Sequence, residues 1–239
     1  MNQPLIQVEN LSISVNGIDD HLIVRDVSFS VEAGEIVGIV GESGSGKTMV
    51  ARSLMGLQPP AIAICGGDIR FEGRSVPSMK GKEIRALRGS RLGMVFQEPM
   101  TSLNPSMTIG KQLEEPLKLH TRLDAAARRA KILEILRRVG IHDPEGALLA
   151  FPHHFSGGMR QRMMLASAML LRPSLLIADG PPTALDALVQ RAGLELMLGM
   201  VRSENTALLM NSHDLPLAAR DRDRVLGMRP GEMCEHGPV

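Results

Sequence analysis

The eight residues Gly41-Glu42-Ser43-Gly44-Ser45-Gly46-Lys47-Thr48 limit the folds open to this chain more than any other stretch, because they match G-x-x-x-x-G-K-[ST]. The segment before them, Glu35-Ile36-Val37-Gly38-Ile39-Val40, is short, apolar and rich in β-branched residues, as a strand buried on both faces of a parallel sheet requires. A helix ending near Gly56 is expected to follow. The glycines let successive backbone N–H groups turn toward one point, and the helix N-terminus adds about half a positive charge, so the loop becomes an anion nest. Lys47 is expected to reach the β- and γ-phosphates of ATP, and the Thr48 hydroxyl to ligate Mg²⁺. Four fixed positions match by chance in about one chain in a hundred of this length, and the flanking strand and helix lower that further. All eight residues are therefore candidate ATP contacts.

The rest of the chain fits an α/β protein. Leu5-Ile6-Gln7-Val8 and Leu11-Ser12-Ile13-Ser14-Val15 read as two strands, and Leu22 to Val31 repeats their alternation, which predicts an antiparallel sheet. Thr121 to Asp124 can start a helix running to Gly140, with Ile132, Leu133, Ile135 and Leu136 on one face and Arg128, Arg129, Arg137 and Arg138 on a solvated one. A further helix is expected from Ser156 to before Pro173. Leu175 to Asp179 and Thr206 to Met210 read as buried strands separated by a helix from Ala187 to Val201, the alternation of a parallel sheet. Residues 1–239 are expected to form one unit with a helical subdomain at about 98–172.

Length and composition narrow the functions. A chain of 239 residues with 44% hydrophobic side chains can bury a core without staples. A net charge of +1 gives no global field for nucleic acid or anionic lipid. Cys65 and Cys234 stand alone, which predicts reduced thiols and a reducing compartment. Met1 to Pro4 lacks the basic start of a secretory leader, and no run approaches the ~18 apolar residues of a membrane span. A cytosolic protein, or a passenger on a membrane protein, is expected. With 16 Met, five Phe and neither Trp nor Tyr, Met is expected to fill the core where aromatics might otherwise sit.

Two more motifs specify the kind of phosphate-loop protein. Ser156-Gly157-Gly158 opens a helix, and Gln97 in Val95-Phe96-Gln97-Glu98-Pro99 precedes it. Asp179 ends an apolar strand, and Ser212-His213-Asp214 follows another. In this order the chain resembles the nucleotide-binding subunits of ABC transporters over essentially its whole length. The resemblance implies a fold in which the parallel P-loop sheet carries an antiparallel β subdomain and a helical subdomain. It implies that Ser156, Gly157 and Gly158 are the signature motif, which closes over ATP held by a second ATPase subunit. Gln97 resembles the residue that senses Mg²⁺ and the transmembrane partner, Asp179 the Walker B aspartate, Asp186 the D-loop and His213 the switch histidine. Gln97-Glu98-Pro99-Met100-Thr101-Ser102-Leu103-Asn104-Pro105 and Phe151-Pro152-His153-His154 resemble the oligopeptide, dipeptide and nickel importer branch. That branch implies transmembrane permease subunits, an extracytoplasmic binding protein reached indirectly, and a peripheral place on the cytoplasmic face of the inner membrane.

The chain departs from the family at five points. Gly180 follows Asp179 where the family has the glutamate that polarises the attacking water, so ATP binding without fast turnover is expected. Val15 stands where an adenine-stacking aromatic is expected at the end of the second strand. Asn211 puts an amide in a usually apolar strand, costing about 1–3 kcal/mol if buried and unpaired. Pro182 replaces a common threonine and removes a backbone donor. Members of the branch also extend beyond the segment seen here as Gly231 to Val239. Three readings stay open: an importer ATPase subunit, a hydrolysis-deficient half of a heterodimer, and a non-transport ABC ATPase such as an accessory protein of phosphonate breakdown or a translation or repair factor.

Overall fold

In chain order, the computed structural model contains strands β1 (Ile6–Val15), β2 (Leu22–Val31) and β3 (Ile36–Val40), helix α1 (Lys47–Leu54), and strands β4 (Ile62–Phe71) and β5 (Arg74–Ser75). Helix α2 (Gly81–Leu87) and strand β6 (Leu92–Phe96) precede helices α3 (Ile109–His120), α4 (Ala125–Arg138), α5 (Pro144–Leu149) and α6 (Gly157–Met169). Strand β7 (Leu175–Asp179), helix α7 (Ala187–Ser203) and strands β8 (Ala207–Ser212), β9 (Arg224–Arg229) and β10 (Glu232–Pro238) complete them. The residues described are 3–15, 21–96, 102–180, 187–212 and 223–238.

The strands form two sheets. One is antiparallel, in the order β2-β1-β4-β5; the other runs β10-β9-β3-β8-β7-β6 and is parallel except where β10 pairs with β9. Every residue of β3, β7 and β8 is buried. Side chains alternate across a strand, so successive residues serve different cores. Val37, Ile39, Leu175, Ile177 and Leu209 share one apolar cluster with Ile6, Ile13 and Phe71 of the antiparallel sheet. Leu176, Ala178, Leu208 and Met210 share the other with α3 to α7. Two apolar faces explain why these strands read as continuous hydrophobic runs.

Two expectations are corrected. The segments read as two N-terminal strands are one, β1, bent where Asn10 adopts φ 49° and the register with both neighbours shifts. Val15 therefore ends the first strand. Helix α4 starts as expected, with the Asp124 side chain accepting a hydrogen bond from Ala127 N at 2.8 Å, and buries the four expected aliphatics. Its arginines divide, however. Arg129 and Arg137 are exposed, Arg129 while ion-paired with Glu145, whereas Arg128, ion-paired with Glu114 at 3.0 Å, and Arg138, with Glu204 at 2.6 Å, are partly covered by neighbouring segments. Sequence spacing alone could not locate carboxylates contributed by other segments. Met55, Met163, Met164, Met169, Met197, Met200, Met210 and Met228 are buried, as the composition suggested.

Candidate functional site

The loop between β3 and α1 takes a shape only glycine tolerates at two points, with Gly44 at φ 82° and Gly46 at φ 102°. At Gly41 the constraint is space: a Cβ there would lie 2.0 Å from the Met228 carbonyl oxygen on β9. The loop is also tied to the β9–β10 turn, since Gly231 N donates to Ser45 O at 3.1 Å. Gly46 is the N-cap of α1, no side chain caps that end, and its first turn holds no acidic residue. The positive helix end thus faces the loop without a resident carboxylate.

Lys47 is 5% exposed, and its Nζ donates to Gly41 O at 2.8 Å, Glu42 O at 2.6 Å and Ser45 Oγ at 3.1 Å. Burial pushes its ammonium pKa down from the ordinary lysine value, and the nearby Asp179 carboxylate pulls only part of the way back. A cation held by neutral carbonyls in a desolvated pocket has much to gain from an anion.

Asp179 ends β7 and is 5% exposed. Its Oδ1 accepts from Thr48 Oγ1 at 2.9 Å and from Asn211 Nδ2 at 2.8 Å. Strand register produces the second contact, because Asp179 and Asn211 are direct partners across β7 and β8. Asn211 is therefore buried, as its place in an apolar strand implies, but its amide nitrogen is paired. Half of the cost remains, since its Oδ1 is buried without a hydrogen-bond partner among the described residues.

These groups surround one cleft of about 270 Å³, lined by Ile23, residues 43–49, Asp179, Gly180 and Asn211. Gly41 and Glu42 reach it through their carbonyls on Lys47. Gly180 is in the left-handed region at φ 88°. Val15 is not among the lining residues; the apolar lining comes from Met49 on α1 and from Ile23 on β2, which sequence reasoning missed because β2 is distant from the loop along the chain and meets it only in the fold. Ser156, Gly157 and Gly158 lie outside the cleft. Ser156 caps α6 by accepting from Met159 N at 3.3 Å, and a Cβ on Gly158 would lie 3.0 Å from Val189 Cγ1 on α7. Gln97, Pro182, Asp186 and His213 lie outside the described residues.

The oxygen donors suit a hard divalent cation. Thr48 directs its proton to Asp179, which leaves its lone pairs available, and Asp179 keeps Oδ2. The open α1 end and the buried Lys47 suit a phosphate chain. The site can hold a nucleotide, but the residue directly after Asp179 is Gly180, which carries no carboxylate.

A family model described as ABC transporter matches residues 24–183. Peptidoglycan transport ATP-binding protein YejF of Agrobacterium fabrum is 44% identical over 239 residues, 99% of this chain and 44% of that protein. Dipeptide transport ATP-binding protein DppD of Bacillus subtilis is 42% identical over 98% of this chain and 71% of its own length. The chain thus spans less than half of the first relative and more than two thirds of the second. A solved dimeric ATP-binding cassette in a post-hydrolysis state with ADP and Pi superposes with a TM-score of 0.83 at 24% identity, covering 98% of both chains, which shows the shared fold. Among the described residues no helix is long and apolar enough to cross a membrane.

Proposed function

Because the chain belongs to the ABC transporter family, we propose that it is the ATP-binding subunit of an importer, coupling ATP binding and hydrolysis to uptake of peptides, nickel or a similar solute. The observation that carries this reading is the 2.9 Å bond from Thr48 to Asp179, which joins the phosphate loop to the end of β7 across one cleft. In the proposed complex, the α1 N-terminus and loop amides bind the β- and γ-phosphates, and Lys47 exchanges loop carbonyls for phosphate oxygens. Thr48, with Gln97 by family resemblance, holds Mg²⁺. When bound, that ion neutralises phosphate charge.

The placement of Ser156, Gly157 and Gly158 outside the cleft supports a paired arrangement, in which each chain's signature segment completes the partner's Lys47 site. The partners are then a second ATPase subunit, alike or different, and transmembrane permease subunits, with an extracytoplasmic binding protein reached through them. The subunit works at the cytoplasmic face of the inner membrane, and the helical subdomain of about 98–172 meets the permease. Names of relatives such as the dipeptide transport protein support the solute class.

A second reading is favoured by Gly180: a subunit that binds ATP but relies on a partner's carboxylate for turnover. Calorimetry with MgATP tests the shared core of both. The wild-type chain is expected to bind, and Lys47→Ala to weaken binding roughly 10- to 150-fold, the range for losing a hydrogen bond to a charged group. Equal binding by both chains would refute the placement of phosphate at Lys47.

A further inference from the structure

Asn211 ends the apolar run of β8 and lines the cleft. Its four predecessors on β8, Ala207, Leu208, Leu209 and Met210, are all apolar and buried. Its own side chain is 3% exposed, and its one hydrogen bond among the described residues is from Nδ2 to Asp179 Oδ1. The amide cannot reverse without setting its oxygen against the carboxylate, so its orientation is fixed by Asp179 rather than by its own satisfaction.

A carboxylate oxygen offers two lone-pair positions. Oδ1 of Asp179 already receives two donors, Thr48 Oγ1 at 2.9 Å and Asn211 Nδ2 at 2.8 Å. We propose that Asn211 is a positioning residue for the cation of this cleft: with Thr48 it saturates Oδ1 and fixes the carboxylate plane, leaving Oδ2 available to a hard divalent cation. A neutral donor suits the task, because a lysine or arginine there would cancel the charge the cation needs. An aliphatic residue would leave Oδ1 with the Thr48 donor alone and the carboxylate less firmly orientated. Thr48 benefits as well, since an orientated Asp179 keeps the Thr48 proton engaged and its lone pairs toward the cleft. This inference rests on the nucleotide reading above, and its test separates the two.

The experiment measures ATP affinity by calorimetry with EDTA and then with Mg²⁺, for the full chain and for Asn211→Val and Asn211→Thr. Asn211→Val is expected to reduce the gain in affinity from Mg²⁺ about 10-fold or more, with Mg²⁺-free affinity within about twofold of wild type. Asn211→Thr, which keeps a donor, should recover part of the gain. A structural role alone would move both affinities together, or neither. If Asn211→Val retains the full Mg²⁺ gain, the inference is overturned while the nucleotide reading stands. Should the wild-type chain bind no ATP under either condition, the nucleotide reading fails and takes this one with it. If the valine variant does not fold, NMR of the wild type decides: the Asn211 side-chain amide signals should shift when Mg²⁺ is added to the ADP-bound chain, and unchanged signals would overturn the proposal.

Discussion

Replacing Gly180 by glutamate, with Gly180→Ala as its companion, separates missing chemistry from backbone strain. Gly180 has φ 88°. A side chain in the left-handed region costs about 1–2 kcal/mol. Restricting the unfolded chain returns about 0.4–1 kcal/mol of that, so both variants should lose about 1 kcal/mol of stability. For a chain of this size that lowers Tm by about 2–4 °C. The chemical effect is larger and belongs to glutamate alone: a positioned acid–base group contributes about 10²–10⁴ in rate, equivalent to about 2.7–5.4 kcal/mol of barrier at 1.36 kcal/mol per decade. The assay is steady-state ATP hydrolysis beside thermal denaturation of all three chains. Both variants should melt lower by a similar amount, and only Gly180→Glu should turn over faster. If alanine accelerates turnover as glutamate does, or the wild type already matches Gly180→Glu, the idea that the missing carboxylate limits the rate is refuted. Unchanged melting of both variants would refute the strain argument independently.

Two further predictions concern helices outside the cleft. Glu114 receives hydrogen bonds from Lys118 and from Arg128, and these hold its carboxyl below the ordinary glutamate range. A depressed folded-state pKa gives stability that is present above the unfolded value and lost as pH falls through the folded one. The advantage of wild type over Glu114→Gln in denaturant unfolding should therefore be fully present at neutral pH and close between those two values; a gap that widens with acid would contradict it. At α6, Ser156→Ala removes the cap on Met159 N and should cost about 1 kcal/mol, whereas Ser156→Gly should cost only a few tenths. Equal melting temperatures for the two variants would show that the 3.3 Å contact does not stabilise the helix.

Local chemistry made much of this protein legible in its sequence. The phosphate loop needs glycines at fixed places because backbone conformation and clearance leave no alternative, as Gly41, Gly44 and Gly46 illustrate. Buried parallel strands need apolar residues on both faces, so β3 and β7 stood out as runs, and the Asp124 cap marked where α4 begins. Tertiary structure alone decided what meets across the fold. Strand register set Asn211 beside Asp179 and gave the buried amide a carboxylate partner. The β2 strand delivered Ile23 to the cleft while Val15 stayed outside it, and carboxylates from other segments claimed Arg128 and Arg138. The division has one physical cause. A residue's own backbone and periodicity are written in its neighbours along the chain, whereas hydrogen-bond partners and cleft walls depend on distances between segments that only packing fixes.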